Sequence, residues 1–188
     1  MIIRIGWISM IICLAAGLSN AGKRPPLGRT TRAGQSADAE IKKLAYFAGK
    51  WSGEVDVKAT QFGPASKFTE AAESDWMPGD HFIVMHWIVK TQAGEGTSLM
   101  ILGYDSKEKR YTFNTFAGTG ETASATGTVE GDTWTFYGDS IANGSTTKSR
   151  FSMKALSPSS CATKFEISPD GTTWITVMEG RISKAPSK

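Results

Sequence analysis

The chain has 188 residues, of which 40% are hydrophobic and 10% aromatic, a size that suits one domain with a modest core. Its formal charge of +3 is close to neutral for this length, which removes the electrostatic case for a nucleic-acid partner or an acidic membrane surface.

The amino-terminal stretch, 1–21, reads as an export signal. Arg4 is its one charge, residues 5–18 are apolar, and Ser19-Asn20-Ala21 places small residues where a signal peptidase reads. The apolar run is short of the roughly 20 residues that a membrane-spanning helix needs. Met10-Ile11-Ile12 precede Cys13, without the small residue expected before a lipidated cysteine. The expectation is a cleaved product in the periplasm or outside the cell. Cys161 is then the only cysteine, which excludes an intramolecular disulfide and reads as a small core residue. No transmembrane segment is expected after cleavage, and the oligomeric state is not legible.

Residues 22–37 carry Pro, Gly and four cationic side chains with little to bury, and read as a disordered linker. A domain is expected over 38–184. Ser36 can cap a short helix with Asp38 and Glu40 in its first turn. Ile41, Leu44, Ala45 and Ala48 share a face, and Gly49 is the natural stop. This helix is expected to lie across one end of a barrel.

Strand signals follow in close succession. In residues 51–58, Trp51, Gly53, Val55 and Val57 alternate with Ser52, Glu54, Asp56 and Lys58, a half-buried pattern. The next strands are expected over 67–77 and 81–90, joined at Pro78-Gly79-Asp80. The second of these is apolar on both faces and predicts cover on both sides. Further strands are expected over 98–104, 111–116, 122–130, 133–137, 146–153, 163–167 and 174–182. Gly131-Asp132, Asn143-Gly144 and Pro169-Asp170-Gly171 supply tight turns between them. Ten short strands without an intervening long helix predict an all-β fold, an antiparallel up-and-down barrel whose closure removes exposed edges.

Several blocks carry a resemblance. They are Gly49-Lys-Trp51; Ser74-Asp-Trp-Met-Pro-Gly-Asp-His81-Phe with Ile83-Val-Met-His-Trp87; Leu99-Met-Ile-Leu-Gly103-Tyr-Asp105 with Tyr111-Thr-Phe113; and Asp170-Gly-Thr-Thr-Trp174 with Val177-Met-Glu-Gly-Arg181. In order and spacing they resemble the domain of unknown function 1579 family over about 44–184. The resemblance implies a calycin-like barrel, related in shape to lipocalins, fatty-acid-binding proteins and nitrobindins, and no established activity. The Gly-x-Trp element is also similar to the lipocalin signature. That likeness implies barrel closure by Gly49 and Trp51, with Arg181 of the last strand over the Trp51 ring. Nitrobindin-like proteins hold haem through a histidine near the carboxy terminus. The last histidine here is His86, so that role has no counterpart.

No nucleophile elbow, phosphate loop or zinc motif occurs, and no cofactor or metal is expected. Glu70, Glu73 and Asp75 lie on one expected strand, and Glu73 and Asp75 share a face, where paired carboxylates can do acid–base work, although a solvated face is the plainer reading. His86 is either a ligand or base inside the barrel or a histidine satisfied by its neighbours. Trp76, Met85, His86, Trp87, Met100, Phe113, Phe116, Trp134 and Phe136 are candidate cavity-lining residues, with Thr112, Asn114, Thr126 and Thr135 as polar contacts. The preferred reading is an exported barrel binding a small, mainly apolar molecule. The alternatives are a structural or interaction module of the envelope with a filled barrel, or an enzyme using the barrel mouth with His86 or Glu73 as base.

Overall fold

The computed structural model describes residues 32–185, so the expected export signal and most of the linker lie outside the described residues. Helix α1 spans Arg32–Lys43 and continues into a 3₁₀ turn, Leu44–Phe47. It begins four residues before Ser36, the expected cap. The tightening to 3₁₀ geometry changes which residues share a face. At three residues per turn Leu44 and Phe47 stack and are both buried, whereas Ala45, expected on the core side, is exposed.

Ten strands follow: β1 (Gly49–Val57), β2 (Ser66–Trp76), β3 (Phe82–Thr91), β4 (Gly94–Asp105), β5 (Arg110–Ala117), β6 (Thr122–Glu130), β7 (Thr133–Ala142), β8 (Ser145–Ser157), β9 (Ser160–Ser168) and β10 (Ile175–Lys184). Each pairs antiparallel with the next, and β10 returns to β1, closing the barrel. The expected turn chemistry is present. Asn143 and Gly144 both have positive φ, 52° and 79°, as a type I′ hairpin requires. Asp170 accepts hydrogen bonds from the Thr172 and Thr173 backbone N–H groups at 2.8 and 2.7 Å. These bonds favour the ionised carboxylate and lower its pKa.

Trp51 and Val55 point inward and are buried, and their polar neighbours face out, as the alternation requires. Gly53 shares the inward face. A Cβ there would collide with the Arg181 carbonyl oxygen and lie 2.8 Å from the Ile182 Cα, so the residue lets β10 close tightly on β1.

The end nearest α1 is filled. Tyr46 stacks on Trp134 at 5.4 Å, Phe47 meets the edge of the same ring at 4.9 Å, and the Trp51 indole N–H donates to the Phe47 carbonyl at 2.9 Å. The Tyr46 hydroxyl bonds the Ser160 carbonyl oxygen at 2.8 Å, and Tyr111 donates to the Glu40 carboxylate at 2.7 Å. The helical segment is thereby bound to β9 and β5 and lies across this end of the barrel.

Two expectations are corrected here. The cation over Trp51 is Lys184, 5.0 Å from the ring centroid, and not Arg181. Lys184 is the register partner of Trp51 and shares its inward face, whereas Arg181, three residues earlier, faces solvent. β3 is covered on one side only. Its inner residues Ile83, Met85 and Trp87 are buried, while Phe82 (41%) and Ile88 (36%) are exposed on the outer wall.

Candidate functional site

The half of the barrel remote from α1 is not filled. A cavity of about 220 Å³ lies there, walled by Val55 of β1, Phe68 of β2, Trp87 and Val89 of β3, Met100 of β4, Phe113 of β5, Phe136 of β7 and Phe151 of β8. The space has a local cause. Gly138 lines it without a side chain, and Ala125 adds only a methyl group. Thr115, Ser149 and Thr163 contribute polar atoms to an otherwise apolar wall.

One side chain breaks that apolar surface. Glu70 of β2 is 7% exposed and lines the cavity, facing Gly53 of β1 on one side and Val89 of β3 on the other. Its Oε1 has no hydrogen-bond partner among the described residues. Burial pushes its pKa up to about 7, and the adjacent Trp87 indole N–H, which favours the charged form, offsets only part of this. The Cys161 thiol is fully buried nearby. Burial first, and the Glu70 charge second, push it up to about 12, which makes it an inert core group.

Glu70 was read on the same strand as Glu73 and Asp75 but passed over, because those two exposed carboxylates share a face and were weighed as the pair. Glu73 is ion-paired with Lys50 at 3.1 Å, and Asp75 accepts from the Trp76 backbone N–H at 2.7 Å. Parity is the signal that could have found it. Glu70 shares a face with Phe68, Ala72 and Ser74, of which Ala72 and Ser74 are buried, and that face is opposite to Glu73 and Asp75.

The nine candidate lining residues divide into three groups. Trp87, Met100, Phe113 and Phe136 line the cavity. Met85 and Trp134 are buried, and Trp76 half-buried, in the packed core, outside the cavity wall. His86 and Phe116 are not inside. Both stand exposed on one outer row, in which Leu99 pairs with each of them. His86 and Trp87 are adjacent, so a strand cannot present both to the interior. Thr112, Asn114, Thr126 and Thr135 also occupy outward positions: Asn114 accepts from Ser124 at 2.7 Å on the outer wall, and Thr126 pairs with exposed Tyr137. The polar residues that line the cavity beside Glu70 include Thr115, Ser149 and Thr163.

Among the described residues no cluster of three or more His, Cys, Asp or Glu could hold a metal, and no helix is long and apolar enough to cross a membrane.

Comparison with solved structures supports the fold. Rv2717c from M. tuberculosis superposes with a TM-score of 0.56 at 11% identity, covering 78% of this chain and 97% of that one. The S-type phycobiliprotein lyase CPES from Guillardia theta superposes with a TM-score of 0.55 at 11% identity, covering 81% of this chain and 98% of its own. No curated protein matches the sequence. The model that does match, over residues 36–184, is described as a protein of unknown function, DUF1579, and the chain belongs to that family.

Proposed function

We propose that this protein is an exported carrier that holds one small, mainly apolar molecule inside its barrel. The observation that carries the reading is the cavity of about 220 Å³ with an aromatic and aliphatic wall. An engineered protein cavity of about 150 Å³ binds benzene, so the space suits a one- or two-ring molecule. The first 21 residues support export, to the periplasm or beyond. The calycin-like fold is a frequent frame for such binding, because a closed barrel of this width leaves room for one small ligand.

A test is to express the full chain with its own amino-terminal segment and compare native with denaturing mass spectra. The expected results are a polypeptide beginning at Gly22 and an additional small-molecule mass lost on denaturation. Titration of the purified protein with a neutral probe, 1-naphthalenemethanol, covers the case of a ligand lost in purification. A bare native mass together with no binding of the probe would overturn the carrier reading and favour a structural module of the envelope. An uncleaved chain would overturn the export reading alone.

A further inference from the structure

The cavity contains a carboxyl group that the protein satisfies only in part. Glu70 is more than nine-tenths buried, and although the Trp87 indole N–H stands beside its carboxyl, Oε1 has no hydrogen-bond partner among the described residues. An unsatisfied buried acceptor destabilises a fold, and such groups persist where a ligand completes them. A carboxyl group has acceptor capacity to spare and calls for a donor. The cation on the cavity lining is Lys164, and its ammonium is already 3.2 Å from Glu166. Glu70 therefore has no protein counter-ion, and its desolvation has been met during folding rather than at binding. Trp87, Phe68 and Phe113 line the same cavity, and the faces of aromatic rings attract cations.

We propose that Glu70 is the polar anchor of the cavity and that the ligand class is an apolar amine. The ammonium N–H donates to the Glu70 carboxylate and sits against the Trp87 ring. The hydrocarbon body lies along Met100, Phe113 and Phe136. This assignment rests on the carrier reading above and narrows it to a chemical class.

Two probes of matched shape separate the two claims. 1-Naphthylmethylamine and 1-naphthalenemethanol differ in the amine and the hydroxyl, and each is titrated calorimetrically at pH 8 into the protein and into Glu70→Gln. A charge-assisted bond to a preformed acceptor predicts about tenfold tighter binding of the amine to the unaltered protein. The preference is expected to vanish in Glu70→Gln while the alcohol still binds, which also shows that the variant is folded. Equal affinities in the unaltered protein, or a preference that persists in Glu70→Gln, would overturn the amine assignment and leave the carrier reading standing. Failure of both probes to bind would overturn both. The comparison of the two probes on the unaltered protein holds even if the variant does not fold.

Discussion

Replacing Glu70 with Gln makes the energetic cost of the buried carboxyl measurable. Its pKa stands at about 7 in the folded protein, against 4.5 for an ordinary glutamate. Between these two pH values the folded state keeps a proton that the unfolded chain has released. The unfolded state then binds fewer protons, so stability falls as pH rises through that window and levels off above about 7. At about 1.4 kcal/mol per tenfold change in proton affinity, the full loss is roughly 3 kcal/mol. The amide of the Glu70→Gln variant has the same shape as the carboxyl and does not titrate. Urea denaturation of both proteins at pH 5, 6, 7 and 8 isolates the effect, because every other titrating group cancels in the difference between the two. The stability of the variant relative to the parent is expected to rise by about 2.5 kcal/mol from pH 5 to pH 8, since part of the loss has already occurred at pH 5, or roughly 5–10 °C in thermal midpoint for a domain of this size. Parallel pH profiles for the two proteins would refute the argument, since they would mean that Glu70 is solvated or already paired.

Three further outcomes follow from the geometry. Lys184→Met keeps the apolar stem but removes the ammonium 5.0 Å from Trp51 and 5.6 Å from Tyr46, and is expected to cost about 1 kcal/mol in urea denaturation. Arg181→Met, on the exposed side of the same strand, is expected to stay within about 0.5 kcal/mol, and equal effects would restore Arg181 as the closing cation. Gly53→Ala must displace the Arg181 backbone and is expected to destabilise by about 3 kcal/mol, whereas Gly63→Ala, which meets open space at ordinary φ, is expected to be close to neutral. His86→Ala, on the outer wall, is expected to leave the affinity for 1-naphthalenemethanol unchanged in calorimetric titration.

The ten strands and their order were legible in the sequence because the signals that mark them are local. A hairpin such as Asn143-Gly144 needs two consecutive residues at positive φ, and few residue pairs adopt that conformation. The closing helical segment was legible for the same reason, although its change to 3₁₀ geometry shifted the buried face from Ala45 to Phe47. The inner surface of the barrel was harder to read, since a strand has two faces and its own pattern selects one only when the other is polar. β1 passes that test, because Ser52, Glu54 and Asp56 all lie opposite Trp51 and Val55. β3 fails it, since Phe82, Val84 and Ile88 are as apolar as Ile83, Met85 and Trp87, and that ambiguity admitted His86 to the interior.

Register resolves what pattern leaves open. Trp51 pairs with Ala72, and Ala72 with Trp87, so one inward residue on β1 sets the parity of β2 and β3 together. The same parity places Glu70 inside and Glu73 outside, against the expectation that carboxylates on one strand share the solvent. A rule based on hydropathy assigns Glu70 to the wrong face because the protein itself departs from that rule there. The departure lies on the wall of a cavity, where the surface is otherwise apolar and where one carboxyl oxygen has no donor. A fold that needed only to pack its interior would be more stable with a hydrocarbon at this position. Retention of the carboxyl at a cavity wall is therefore an argument for an occupant with a group to match it.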